Sequence, residues 1–272
     1  MKIELVKAHD GVNLRVAHIK PSTKPLGVIQ IVHGFGEGLV HYEEVVTFFS
    51  NNGYACVIHD QRGFGEMPNL SPKQREKVRG VVPGYNYLLE DIKTLREQIN
   101  LWYPGLPIIL FGHSMGGNIA ANYLLNNNEY EKAILEAPWL RLYKPLPKIA
   151  TPLARLLGKI SKNITVSANL NVDDGPHTDD VFHDRMSLRL YAAVVRAGEY
   201  AIKNAANISI PTLLLCPDMD KLVCPKAIRE FAANANKNVV LVDYPEGNHC
   251  LHADVIKEKV LADMLDFCNR RN

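Results

Sequence analysis

The first stretch of this 272-residue chain that could do chemistry is a serine framed by glycines, Gly112-His113-Ser114-Met115-Gly116. Glycines two residues before and after a serine let a strand turn sharply into a helix and lift the hydroxyl to the apex. Alone the pattern is weak, arising by chance in about one chain in ten of this length. A serine hydroxyl is also a poor nucleophile until a base takes its proton and a carboxylate orients that base. Downstream, "CPDMDKLVCP" offers Asp218 and Asp220, and "DYPEGNHCLHAD" offers His249 and His252. The chain order serine, acid, histidine is the one a strand-to-helix serine elbow calls for. Asp220 is favoured because it sits farther into its loop, with Asp218 left to cap or brace the turn. His249 is favoured because it lies in a Gly-Asn-His loop, whereas His252 begins the helical pattern that follows.

Attack by Ser114 on a carbonyl would also require donors for the developing oxyanion. One is the backbone N–H of Met115, the residue after the nucleophile at a helix N-terminus. The other should come from "HGFGEG" (33–38), where Gly34, Gly36 and Gly38 allow backbone to approach a ligand closely. The N–H of Phe35 is the candidate.

These loops need elements to hold them. "LGVIQIVHG" (26–34), "YACVIHD" (54–60), "PIILFGHS" (107–114), "KAILEAP" (132–138), "PTLLLCPD" (211–218) and "NVVLVDYP" (238–245) are continuous apolar runs, as in strands buried on both faces. An alternating pair, 3–8 and 14–20, reads as a hairpin about His9-Asp10-Gly11. Helical patterns lie at about 41–51, 84–102, 115–127, 225–235 and 252–269. Strands alternating with helices predict an α/β fold, a mostly parallel sheet of about eight strands with helices on both faces. Each candidate site residue then falls just past a strand, where such folds place their sites.

One connection is too long. About 70 residues separate Ala137 from Thr212, far more than a crossover needs. Thr151-Pro152 suggests a helix start, with Leu153, Leu156, Leu157 and Ile160 opposite Arg155 and Lys159. A second helix near 186–206 lines up Leu188, Tyr191, Ala192, Val195 and Ile202. The expected organisation is therefore a core in two parts, 1–138 and 208–272, with an inserted helical lid over 139–207. Basic residues cluster in 141–162 beside Trp139, Leu142, Tyr143, Leu146 and Ile149. Two accounts of that cluster are open. Either a helix packs its apolar stripe on the core with a solvated basic face, or the segment touches an anionic lipid surface transiently.

The formal charge of +2, with 47% hydrophobic and 22% charged residues, describes an ordinary globule and gives no nucleic-acid footprint. Five cysteines without a short CxxC pair read as reduced thiols of a cytoplasmic protein, with no zinc site. The first 20 residues lack a hydrophobic signal core. His33 and His59 read as structural strand-end histidines, His113 as packing, and Asp60 with Arg62 as a loop-bracing pair. His177, Asp179, Asp180, His183 and Asp184 read as a solvated polar loop rather than metal ligands.

With these residues in place, "HGFGE", "DQRGFG", "GHSMGG", "DMDKLV" and "EGNHCLH" resemble the α/β-hydrolase superfamily over nearly the full length. Within it the chain is most similar to the monoacylglycerol lipase/lysophospholipase-like serine hydrolases. The resemblance implies Ser114, Asp220 and His249 as catalytic residues, Phe35 and Met115 as oxyanion donors, and no cofactor or metal. It implies cleavage of small-molecule carboxylic esters, such as monoacylglycerols or lysophospholipids. Esters of aromatic acids, including hydroxycinnamates, and peptides with a small N-terminal residue are the alternatives; a non-catalytic binding protein would have lost a triad member. Departures at Gly38-Leu39-Val40-His41-Tyr42 and at Met67 fall on the substrate rim.

Overall fold

The apolar runs fold into the strands that their lack of polar positions demands, in a computed structural model that describes residues 2–67, 70–144, 147, 149–161, 163–167 and 181–270. The main sheet contains β1 (Lys2–Lys7), β2 (Asn13–Ile19), β3 (Gly27–Val32), β4 (Tyr54–His59), β5 (Ile108–His113) and β6 (Lys132–Glu136). It is completed by β9 (Thr212–Pro217) and β10 (Val239–Tyr244), in the order β1-β2-β4-β3-β5-β6-β9-β10. The hairpin β1–β2 is antiparallel, β2 joins β4 antiparallel, and every later pairing is parallel. This is the α/β-hydrolase fold.

Alternation along each strand feeds two cores. In β3, Val28 and Val32 enter one apolar cluster while Ile29 and Ile31 enter the other. Helices α1 (Glu43–Asn51) and α8 (Lys257–Asn269) cover the second face through Phe49, Val260 and Met264. The first face is covered by α3 (Tyr85–Trp102), α4 (Met115–Leu124) and α7 (Pro225–Asn234), through Ile92, Ile119 and Ile228. A short helix, α2 (Pro72–Val78), lies outside the expected helical patterns, although Ser71 at its N-cap, Pro72 in its first turn and Gln74 closing a capping box mark its start.

Between β6 and β9 the chain forms α5 (Ala150–Ile160), a small antiparallel ladder of β7 (Thr165–Ser167) with β8 (Arg185–Ser187), and α6 (Leu188–Asn204). Two expectations need correction here. Helix α5 starts at Ala150, so Pro152 sits inside its first turn, where a missing N–H costs nothing. More consequentially, most of its apolar stripe faces outward: Leu153, Leu156 and Ile160, with Ile149 just before the helix, are 48%, 59%, 74% and 73% exposed, and Leu157 is half-buried. The buried side consists of Ala154 and Gly158, because a Cβ at Gly158 would sit 2.8 Å from the Arg189 backbone nitrogen. Small residues let α5 approach α6 closely, and the large ones are left over. Helix α6 buries Ala192 and Ile202 of its expected stripe together with Leu190, Val194, Ala197 and Ala201, while Leu188, Tyr191 and Val195 are half-buried. Leu146, Lys148, Lys162 and the loop 171–180, with His177, Asp179 and Asp180, lie outside the described residues.

Candidate active site

Strand β5 ends at His113 and α4 begins at Met115, so Ser114 alone makes the turn. Its φ of 51° and ψ of −116° lie where side-chain-bearing residues are rarely found, a strain of order 1–3 kcal/mol. The flanking glycines have steric reasons. A Cβ at Gly112 would sit 2.6 Å from the Gly116 carbonyl oxygen, and one at Gly116 would strike the carbonyls of Val32 and His33. Any larger residue would push α4 off β3 and move the hydroxyl.

The other two residues converge on it. Ser114 Oγ lies 2.9 Å from His249 Nε2, and His249 Nδ1 lies 2.6 Å from Asp220 Oδ2. The carboxylate can only accept, so Nδ1 carries the proton and Nε2 is free to accept from the serine hydroxyl. Asp220 is fixed by the N–H groups of Leu222 and Val223, both donating to its Oδ1 at 2.7 and 2.9 Å. Asp218 is paired instead with Arg229 at the surface. His252 turns away to Glu136, with Nδ1 at 2.8 Å from its carboxylate. Geometry thus brings together the favoured member of each pair.

All three side chains are buried. Burial alone would hold His249 neutral, but the charge and hydrogen bond of Asp220, with Glu37 and Glu136 behind, outweigh it and lift its pKa above 6.5. The same competition lifts His252 through Glu136.

Phe35 follows β3 and Met115 opens α4. Among the described residues no protein acceptor meets either backbone N–H. Unpaired N–H donors are what an oxyanion formed at Ser114 would require.

A polar shelf beneath the site was not expected. Glu37 Oε2 accepts from the Gly34 N–H at 2.6 Å and from the Tyr42 hydroxyl at 2.7 Å, tying the loop of Phe35 down. His113, read from sequence as packing, reaches the His249 carbonyl with Nε2 at 3.3 Å and lies 3.1 Å from Tyr42 Oη. Only the glutamate of "HGFGE" hinted at this. Ligand-type atoms of Glu37, His113 and Cys250, and of His113, Glu136 and His252, lie within 4.8 Å of one another. Hydrogen bonds inside the protein account for Glu37 and for the Glu136–His252 pair.

Asp60 and Arg62 brace loops, but not as a pair. Asp60 binds Arg15 and the Leu39 N–H, whereas Arg62 bridges Asp10 and Asp91. His33 takes the Gln61 N–H at 2.9 Å, as a structural histidine would. His183 is not solvated: it is buried against the glycine loops.

The chain is 27% identical to a monoacylglycerol lipase of Mycolicibacterium smegmatis, over 91% of this chain and 89% of that one. It is 25% identical over 92% of its length to an uncharacterized abhydrolase domain-containing protein of Dictyostelium discoideum, spanning 27% of that longer protein. The crystal structure of Paleococcus ferrophilus monoacylglycerol lipase superposes with a TM-score of 0.82 at 23% identity, covering 94% of this chain and 98% of the other. Residues 23–255 match the Hydrolase_4 family, described as serine aminopeptidase, S33, and the chain belongs to that family of hydrolases.

Proposed function

We propose that the protein is a serine carboxylic-ester hydrolase that cleaves monoacylglycerol- or lysophospholipid-like esters through an acyl-enzyme. The observation that carries it is the hydrogen-bonded line from Ser114 through His249 to Asp220 beside two unpaired N–H donors. His249 Nε2 takes the Ser114 proton as Oγ attacks the ester carbonyl. The N–H groups of Phe35 and Met115 receive the oxyanion. His249 then passes its proton to the departing alcohol, leaving Ser114 acylated. Water attacks the acyl-enzyme with the same histidine as base, and the fatty acid leaves.

The acyl-glycerol class rests on the Mycolicibacterium relative and on the aromatic cluster at the loop of Phe35, whose ring lies 5.7 Å from that of Phe64 and 6.1 Å from that of Trp139. Hydrolysis rates on esters varied separately in acyl length and alcohol test it. Preference for long-chain monoacylglycerols over p-nitrophenyl acetate and hydroxycinnamate esters is expected. Comparable rates on alanyl or prolyl anilides would instead favour the aminopeptidase that the family description names. Of the acids that could hold a free amine among the described residues, Glu199 is engaged with Arg141 and Asp184 with Ser167.

The inserted segment serves as a lid, and α5 as its transient contact with lipid. A row of large apolar side chains points to solvent with exposed Arg155 and Lys159 flanking it. Each basic residue near an anionic surface contributes up to about 1 kcal/mol, screened within roughly 8–10 Å by salt. Among the described residues no helix is long and apolar enough to cross a membrane. Co-sedimentation with anionic vesicles should exceed that with neutral ones and fall with salt. Equal pelleting with both would refute the contact.

A further inference from the structure

The oxyanion loop is clamped from two sides, and only one clamp, Glu37 with Tyr42, is part of the shelf beneath the nucleophile. The second comes from the inserted segment, where Val181, Phe182 and His183 lie directly on the glycine turns. The His183 N–H donates to the Gly36 carbonyl at 3.2 Å, one residue from the candidate donor Phe35. Its ring Nε2 lies 2.9 Å from the Gly63 carbonyl oxygen. A carbonyl only accepts, so Nε2 carries the proton, and Nδ1 accepts the Arg185 N–H at 3.4 Å, so the ring is a neutral, single tautomer. Burial agrees, holding its pKa down to about 4. The ring stacks on Phe64 at 5.2 Å and 8°, and Phe64 meets Phe35 edge-on at 5.7 Å.

The approach is backbone against backbone. Gly36 has a φ of +80°, and a Cβ there would lie 2.5 Å from the His183 carbonyl oxygen and 2.8 Å from the Phe182 ring. A Cβ at Gly38 would lie 3.0 Å from Val181 Cγ1. Farther along, the Ser187 N–H donates to the Gly80 carbonyl at 2.8 Å, so the strap is anchored beyond the loop as well. A segment that served only to cover the entrance would have no reason to bond the turn carrying Phe35.

We propose that His183 is a positioning residue for the oxyanion hole: its backbone and ring hold the Phe35–Gly36 turn so that the Phe35 N–H meets the developing oxyanion. The inference rests on Ser114 and Phe35 acting as described above. It makes the inserted segment part of the catalytic geometry, because displacement of residues 181–183 releases the Gly36 carbonyl and lets the donor turn away.

The test compares ligands that do and do not form an oxyanion. His183→Ala should lower kcat on a monoacylglycerol by about 10- to 100-fold, less than the roughly 10²–10³-fold of losing one donor outright. KM should stay within about twofold. Affinity for an alkyl trifluoromethyl ketone, which adds Ser114 to form an oxyanion, should fall in the same proportion. Affinity for the matching glyceryl ether, which has no carbonyl, should not change. His183→Gln, whose amide can donate to the Gly63 carbonyl, should recover most of kcat. His183→Phe keeps the stack on Phe64 without the hydrogen bond and should behave as alanine does; it carries the test if His183→Ala does not fold. Normal kcat in His183→Ala, or equal loss of ketone and ether affinity, would overturn the proposal. Ser114→Ala in the same assay separates the two readings, since activity surviving in that variant refutes the site and not the strap.

Discussion

At the scale of single residues, the choice between chemically equivalent neighbours is made by what each one touches. Asp220 spends one oxygen on two backbone N–H groups and the other on His249, while Asp218 spends its charge on Arg229. Asp220→Asn should therefore cost about 10³–10⁴-fold in kcat, because the imidazole loses its tautomer, and Asp218→Asn should stay within about threefold. Steady-state rates of the two variants on one ester check this. His249 must be neutral to act as base, and Asp220 raises its pKa against the pull of burial. The kcat/KM of wild type should thus rise with pH through an apparent pKa above 6.5. In Asp220→Asn only the more distant Glu37 and Glu136 still oppose burial, so the limb should move to lower pH; an unmoved limb would assign it to another group.

At the scale of elements, the same residues explain what the sequence could and could not convey. Ser114, Asp220, His249 and Phe35 each follow an apolar run, so a period-free hydrophobic stretch followed by a polar loop located all of them. The shelf of Glu37, Tyr42 and His113 was largely illegible because His113 lies 71 residues from Tyr42 in the chain and no local spacing links the two segments. Helix α5 misled for a different reason. An apolar stripe on a helix usually marks the buried face, yet here Ala154 and Gly158 pack inward because they admit closer approach. Replacing Leu156 and Ile160 with Asp should leave the melting temperature nearly unchanged, since exposed side chains contribute little to folding. The same pair should abolish vesicle co-sedimentation. Gly116→Ala tests the elbow: its Cβ would enter the space of the Val32 and His33 carbonyls. That variant should lose several kcal/mol of stability or fail to fold, read by denaturant unfolding.

At the scale of the whole molecule, titration of buried histidines sets a window of stability. Burial lowers His33 to about 4, His59 to about 3 and His183 to about 4, so the unfolded chain binds the extra protons below pH 6.5. Stability from these groups is complete above 6.5 and falls as pH drops toward 4, by about 1.4 kcal/mol per pH unit for each group titrating. His249 and His252 have raised values, so their contribution is complete below 6.5 and is lost as pH climbs through their folded pKa. Denaturant midpoints measured across pH should peak near neutrality and fall on both sides. A monotonic rise into the alkaline range would show that the paired histidines contribute nothing. The central claim, that Ser114 is the residue acylated and released, is met most directly by mass spectrometry of the intact protein after a fluorophosphonate and after a slowly hydrolysed ester. Wild type should gain one adduct of each kind, mapped by peptide sequencing to Ser114, and Ser114→Ala should gain neither. An adduct on any other residue, or ester turnover by Ser114→Ala at the wild-type rate, would contradict the account.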